Sequence, residues 1–379
     1  MPLEVSGHFP TSGAVPPEDV VGRHEVIEDI AARLRLGSHL IIAGPRRTGK
    51  SSVAGAVAAR LEQDGVASLQ LEFMFTTTLS AFARAVFEAA ARTAAGQGDW
   101  WDRMALAVQR AGLAATVRAR LGPIAEVGFR LAATSVPERR LEEALSLPGH
   151  LADRLDRRVV VVMDEFQDAA KLHADFYRIL RRYVAGSDRV SYLFLGSRAT
   201  LLRNLFVRHN EPLYRAALEY GLPEADPAEW RAYLERKFRE VGVAGSPGAL
   251  EAMLERTGCH PQDTMLLAGE AYAVLCRERR DCLTLEDVAA AGDRVLEALA
   301  LAFQSEWQEM AGERGARIVL PRIAAGIPVH AGLSRAESKA AAVALSRLVR
   351  EGVVRRSGRG RYAVREALLA EWLRASATA

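Results

Sequence analysis

The octapeptide Gly44-Pro-Arg-Arg-Thr-Gly-Lys-Ser51 constrains this 379-residue chain more than any other feature. It fills the pattern G-x-x-x-x-G-K-[ST] and lies between a short apolar run, His39 to Ala43, and a helix-spaced stretch, Ser51 to Gln63. Strand, glycine-rich loop, helix is the order the pattern requires. The glycines let backbone N–H groups fold around a phosphate, and the following helix adds the partial positive charge of its N-terminus. Lysine is scarce: of 50 basic residues only Lys50, Lys171, Lys237 and Lys339 are lysine, and one of these falls where the pattern demands it. The expectation is a loop for ATP with Mg2+ formed by Gly44, Pro45, Arg46, Arg47, Thr48, Gly49, Lys50, Ser51 and Ser52. Lys50 would reach the β- and γ-phosphates, and the Ser51 hydroxyl would ligate magnesium.

A second signal follows in Val159-Val-Val-Val-Met-Asp164-Glu165. Five consecutive apolar residues resemble a central parallel strand covered on both faces. Alone, such a strand ending in acids is an ordinary strand-to-loop transition. Paired with the phosphate loop, it predicts Asp164 as the residue holding the magnesium water shell and Glu165 as the base that orients and deprotonates water. The next apolar run, Val190 to Leu195, ends at Gly196-Ser197-Arg198. Ser197 is the candidate for contact with the γ-phosphate or the water; otherwise it is a polar turn residue. Arg215, in Glu211-Pro-Leu-Tyr-Arg215, is a candidate charge-stabilising arginine, although in so arginine-rich a chain a solvated one is the default.

Alternating strand and helix patterns up to residue 222 predict an α/β three-layer sheet with parallel strands. Expected elements include helices over His24–Gly37, Leu79–Arg92 and Ala174–Val184, a strand over Ala67–Phe73, and a short hairpin near Gly122–Ala133. After Pro223 helices dominate. The expected divisions are a loose arm over 1–20, a nucleotide-binding core over 21–222, a helical lid over 223–300 and a terminal module over 301–379. The terminal module has the pattern of a winged helix: a helix over Ala316–Ala325, a second over Ser334–Arg350, then a hairpin over Gly352–Val364 with a Ser-Gly turn. Ser334 and Glu337 stand in capping-box spacing, and Val343, Leu345, Leu348 and Val349 mark the apolar side of the second helix.

Several motifs together resemble the archaeal-type P-loop ATPases, a branch of the STAND/AAA+-like group. They are Val21-Gly-Arg-His-Glu25, the phosphate loop, Asp164-Glu-Phe-Gln167, Phe194-Leu-Gly-Ser197, Pro212-Leu-Tyr-Arg215, Thr257-Gly-Cys-His-Pro261 and Glu371-Trp-Leu-Arg374. The resemblance spans nearly the whole chain and implies a RecA/AAA+-like core, a small helical lid and a C-terminal winged helix. It also implies that Gly22 and Arg23 lie near the adenine and that His260 and Pro261 lie in the lid near the nucleotide. Relatives carry Gly-His-Pro where this chain has Cys259-His260-Pro261, and often Pro-Leu-Tyr-Gly-Arg where Arg215 follows Tyr214 directly.

The function implied is hydrolysis of MgATP, with nucleotide state driving a switch or machine. The alternative is a DNA-binding regulator that senses ATP with negligible turnover. Arg355, Arg356, Arg359 and Arg361 in the hairpin are candidates for gripping the backbone of double-stranded DNA. The second helix offers few base-reading residues (Arg335, Ser338, Lys339 and Arg347 at most), so a protein partner or another copy of the chain is the competing expectation. A net charge of +3 gives no whole-chain argument for nucleic acid. Cys259, Cys276 and Cys282 form no metal-binding or disulfide spacing. No signal peptide is legible, and the apolar stretch 111–134 is broken by Arg118, Arg120, Glu126 and Arg130, so a cytoplasmic protein is expected.

Overall fold

The computed structural model describes residues 8–96, 99–312 and 314–378, which form two compact units. One comprises residues 24–44 and 50–222; the other comprises the preceding residues to Arg23, the loop 45–49 and everything from Pro223.

In the first unit the order is α1 (His24–Arg35), β1 (Leu40–Ala43), α2 (Lys50–Gln63), β2 (Ala67–Glu72), α3 (Leu79–Ala95), α4 (Trp100–Gln109), α5 (Ala111–Leu121), α6 (Pro123–Ala133), α7 (Pro137–Leu155), β3 (Val159–Asp164), α8 (Phe176–Ala185), β4 (Val190–Gly196), α9 (Ala199–Val207) and β5 (Leu218–Glu219). The strands form one parallel sheet in the order β2-β3-β4-β1-β5. Strand residues alternate between its faces. Val159, Val161, Met163, Tyr192 and Phe194 share a core with α3, α6, α7 and α8. Val160, Val162, Leu193 and Leu195 are equally buried on the opposite face, where the Ser191 hydroxyl donates to the Leu34 carbonyl of α1 at 2.8 Å. Two buried faces explain why these strands are continuous apolar runs.

The stretch 123–133 is a helix, not the expected hairpin. Pro123 occupies its first turn, where a missing N–H costs nothing. Ile124, Val127, Gly128 and Leu131 recur at helical spacing on its buried side. A Cβ on Gly128 would stand 2.4 Å from the Phe87 ring and 2.8 Å from the Met104 methyl, so only glycine lets α6 approach α3 and α4 this closely. Trp100 is buried in the same core, its indole N–H donating to the Gly96 carbonyl. Two-residue β5 is too short and exposed to leave a pattern, and it was not foreseen.

The second unit holds α10 (Pro227–Glu240), β6 (Ala244–Gly245), α11 (Ala249–Thr257), α12 (Pro261–Glu278), β7 (Cys282–Leu283), α13 (Leu285–Ala311), α14 (Arg314–Ala324), α15 (Arg335–Glu351), β8 (Val354–Gly358), β9 (Arg361–Val364) and α16 (Ala367–Thr378). One core lies among α10, α11, α12 and the start of α13; a second gathers the end of α13 with α14, α15, the β8–β9 hairpin and α16. Both members of the capping box at Ser334 and Glu337 are present. The buried side of α15 is Ala341, Ala344, Leu345 and Leu348, whereas Val343 and Val349 are exposed. Helical phase explains this correction: 341, 344, 345 and 348 share one stripe, and 343 lies off it. The hairpin turns at Arg359-Gly360, with Gly360 at φ 72°, and not at Ser-Gly.

The first seven residues of the expected loose arm lie outside the described residues. Residues 8–20 are anchored: the Phe9 ring packs against Phe238 and Tyr272 at centroid distances of 4.9 and 5.6 Å. Lys237 pairs with Asp19 at 2.9 Å, both side chains being nearly sealed from solvent. A proline-rich composition hides one buried aromatic and one buried ion pair. Phe9→Ala is expected to lower the unfolding free energy of this unit by about 3 kcal/mol, read by denaturant titration.

Candidate nucleotide site

Parallel strands expose their carboxyl ends on one edge, and β4 lies between β1 and β3. The edge therefore carries Gly44 after β1, Ser197 after β4 and Asp164-Glu165 at β3, the usual place for ligands in such sheets. The Gly44 N–H donates to the Gly196 carbonyl at 3.3 Å, extending the β1–β4 pairing to the start of the loop.

Lys50 and Ser51 open α2, and Lys50 is buried. The Ser51 hydroxyl donates to Asp164 Oδ2 at 2.5 Å, so the structure brings together the two residues expected to hold magnesium. A hydroxyl and one carboxylate fit Mg2+, which takes hard oxygen ligands, retains several waters and uses substrate phosphates for the rest. Among the described residues no group of three or more His, Cys, Asp or Glu is arranged to hold a metal by itself.

Glu165 adopts a left-handed backbone conformation, φ 52° and ψ 40°, which costs a non-glycine residue roughly 1 kcal/mol. Its surroundings enforce it. Its N–H donates to Asp164 Oδ1 at 2.8 Å, and its carboxylate accepts from the Ser197 hydroxyl at 2.7 Å, the Ser197 N–H at 3.2 Å and the Gln167 amide. Ser197 thus reaches Glu165, and Gln167 joins it as a residue the expected site did not include. Gly196 leaves room for this Gln167 conformation: a Cβ would stand 2.1 Å from Gln167 Oε1. The Tyr177 hydroxyl caps the turn by donating to the Phe166 and Gln167 carbonyls.

Glu72 is a second residue absent from the expected set. It pairs in register with Asp164, and desolvation followed by the charges of Asp164 and Glu165 holds its carboxyl above the ordinary carboxylate range. Three carboxylates at the neighbouring ends of β2 and β3 make a field that favours a cation. The available signal was the alternation of β2, which ends on an acid as β3 does.

Arg215 also has a left-handed backbone, φ 56°, and its guanidinium lies over the Tyr214 ring. Such a φ favours glycine. None of the described hydrogen bonds or ion pairs joins it to Lys50, Asp164 or Glu165.

The loop 45–49 belongs with the second unit. The Thr48 hydroxyl closes it by donating to the Pro45 carbonyl at 3.0 Å. Arg23 is buried, and its guanidinium lies so near Gly49 that a Cβ there would meet Nη1 at 2.9 Å; burial draws its pKa below the usual arginine value. Gly22, at φ 68°, packs closely on Ala225 and Glu229. Arg46 is exposed, whereas Arg47 faces Glu306 and Glu366. His260 caps α12, whose first residue is Pro261, and its Nδ1 lies 3.2 Å from Asp263. Burial disfavours its charged form, but the Asp263 carboxylate outweighs this and holds His260 above the usual histidine value. Cys259 has φ 58°, again a conformation that favours glycine.

The sheet order, the loop after β1 and the acid pair at β3 define a P-loop NTPase fold of the RecA/AAA+ type. Residues 19–195 match the family described as AAA ATPase domain. The Walker-type ATPase PABY2304 of Pyrococcus abyssi superposes with a TM-score of 0.67 at 17% identity, covering 97% of this chain and 99% of that one. The ORC2 protein of Aeropyrum pernix, in its ADPNP–ADP complexes, superposes with a TM-score of 0.64 at 16% identity, covering 98% of each chain. No curated protein sequence matches. Among the described residues no helix is long and apolar enough to cross a membrane.

Proposed function

We propose that the protein binds MgATP at residues 44–52, hydrolyses it, and uses the difference between nucleotide states to rearrange a helical lid (223–300) and a winged helix (301–379). The observation that carries this reading is the constellation at the β3 end, with Ser51 on Asp164 and Glu165 held by Ser197 and Gln167. Lys50 neutralises the β- and γ-phosphates, and backbone N–H groups of the loop cradle them. Ser51 and Asp164 would hold magnesium, which would supply charge neutralisation at the transferred phosphoryl group. Glu165 accepts a proton from the attacking water, with Ser197 and Gln167 fixing its carboxylate in position. Arg23 and Gly22 border the nucleotide on the adenine side, His260 and Pro261 contribute from the lid, and Arg215 stabilises charge once it leaves the Tyr214 ring. The ADPNP–ADP complexes of the Aeropyrum pernix protein support an adenine nucleotide for a chain of this fold. Switching requires contacts that differ between ATP and ADP.

Lys50→Ala is expected to weaken MgATP binding at least ~10-fold in a fluorescent-nucleotide titration, the loss of one charge-assisted hydrogen bond or more. Asp164→Asn is expected to bind nucleotide but lose the dependence on magnesium. Wild-type affinity in Lys50→Ala contradicts the reading.

A DNA-binding regulator is the second reading, favoured by the cations that α15 and the hairpin expose. Arg335, Lys339, Arg350, Arg359 and Arg361 are open to solvent, and Arg356 lies over the Tyr362 ring. Arg355 is the exception among the hairpin arginines, being paired to Glu224 at 3.3 Å. Duplex binding by this surface has a steep salt signature, log K falling by about 0.9 per phosphate contact for each tenfold rise in salt. Mutating Arg359 and Arg361 to alanine is expected to shallow that slope by nearly 2, and an unchanged slope removes the hairpin from the interface.

A further inference from the structure

The loop arginine Arg47 has an unusual set of neighbours. It sits at φ 66°, a left-handed conformation uncommon for a non-glycine residue. Its Nη1 lies 3.5 Å from Glu306 Oε1, on α13, and 3.9 Å from Glu366 Oε1, on the residue before α16. Behind Glu366 stand His260 and Asp263, both almost wholly buried. Asp263 Oδ1 and Glu366 Oε1 are buried without a hydrogen-bond partner among the described residues, and Asp263 Oδ2 has only the pairing with His260 Nδ1 at 3.2 Å. Three carboxylates therefore surround one arginine and one histidine, and the group is short of donors. Buried acceptors without donors are costly, so the demand on the Arg47 cation is strong.

Burial, then Asp263, then Glu306 push the Glu366 carboxyl up to about 7, with His260 and Arg47 acting in the opposite direction. Meanwhile the backbone N–H groups of the same loop are the donors expected at a bound polyphosphate. Acids and phosphates are two anionic claimants on a single guanidinium.

We propose that Glu306 and Glu366 are positioning residues that hold the Arg47 guanidinium away from the nucleotide polyphosphate, and so set the affinity of the loop for ATP. This rests on the reading of residues 44–52 as an ATP site. Linkage makes the effect reciprocal: ATP that recruits Arg47 weakens its hold on α13 and on the residue before α16 by the same factor. Glu306 and Glu366 thereby become the first residues of the C-terminal region to register the nucleotide.

The test is a double-mutant cycle on the full chain, read by equilibrium binding of ATP and AMP. Glu306→Gln with Glu366→Gln keeps side-chain shape and removes both charges. ATP binding is expected to tighten about 5- to 20-fold, with AMP, which lacks the β- and γ-phosphates, unchanged. In an Arg47→Ala background the same pair is expected to change ATP affinity less than about twofold. Arg46→Ala serves as the control background, in which the tightening persists. A further readout uses pH: as pH falls from 8 to 6, Glu366 gains a proton and releases Arg47. Wild-type ATP affinity then rises more than that of Glu366→Gln, which has no carboxyl to titrate. Unaltered ATP affinity in the paired variant, equal tightening of AMP, equal tightening without Arg47, or superimposable pH curves each overturn the proposal. Absence of ATP binding by the wild type overturns the proposed function itself.

Discussion

Everything at the candidate site depends on β4 lying between β1 and β3. Because all three strands run in parallel, this one arrangement delivers the phosphate loop, a polar residue and the acid pair to the same edge. Residues more than a hundred positions apart in sequence then meet, as Ser51 and Asp164 do. The sheet tolerates no slippage: shifting β3 by one residue would exchange its two buried faces and swing Asp164 away from Ser51. The valine run that makes β3 a buried strand therefore also fixes the position of its acids.

Backbone strain concentrates where the chemistry is expected. Arg47, Glu165, Arg215 and Cys259 all take left-handed conformations without being glycine. Such residues persist only where surroundings over-determine them, and at Glu165 four hydrogen bonds do so. Gly196 opens the space for Gln167 to complete the set. At Arg47 the surroundings are the turn closed by Thr48 on Pro45 and the acids Glu306 and Glu366.

Much of this was legible in the sequence, for identifiable reasons. The phosphate loop and β3 are local signals, a fixed spacing and an unbroken apolar run, and the parallel α/β sheet follows from their alternation. What escaped was set by tertiary contact. The 123–133 segment was open to a hairpin until Gly128 is seen against Phe87 and Met104. Phe9 carries no pattern of its own, only a pocket beside Phe238 and Tyr272. Gln167 and Glu72 join the site because of what faces them across turns and strands. Val343 and Val349 show the opposite failure, apolar residues off the buried stripe of α15.

The most direct test of the account is steady-state phosphate release from MgATP by wild type and by Glu165→Gln. Removing the carboxylate that Ser197 and Gln167 hold in place is expected to cut turnover by about 10²- to 10⁴-fold while nucleotide affinity stays within a few-fold. Turnover in Glu165→Gln equal to that of the wild type would contradict the assignment of Glu165 and, with it, the chemistry argued from the end of β3.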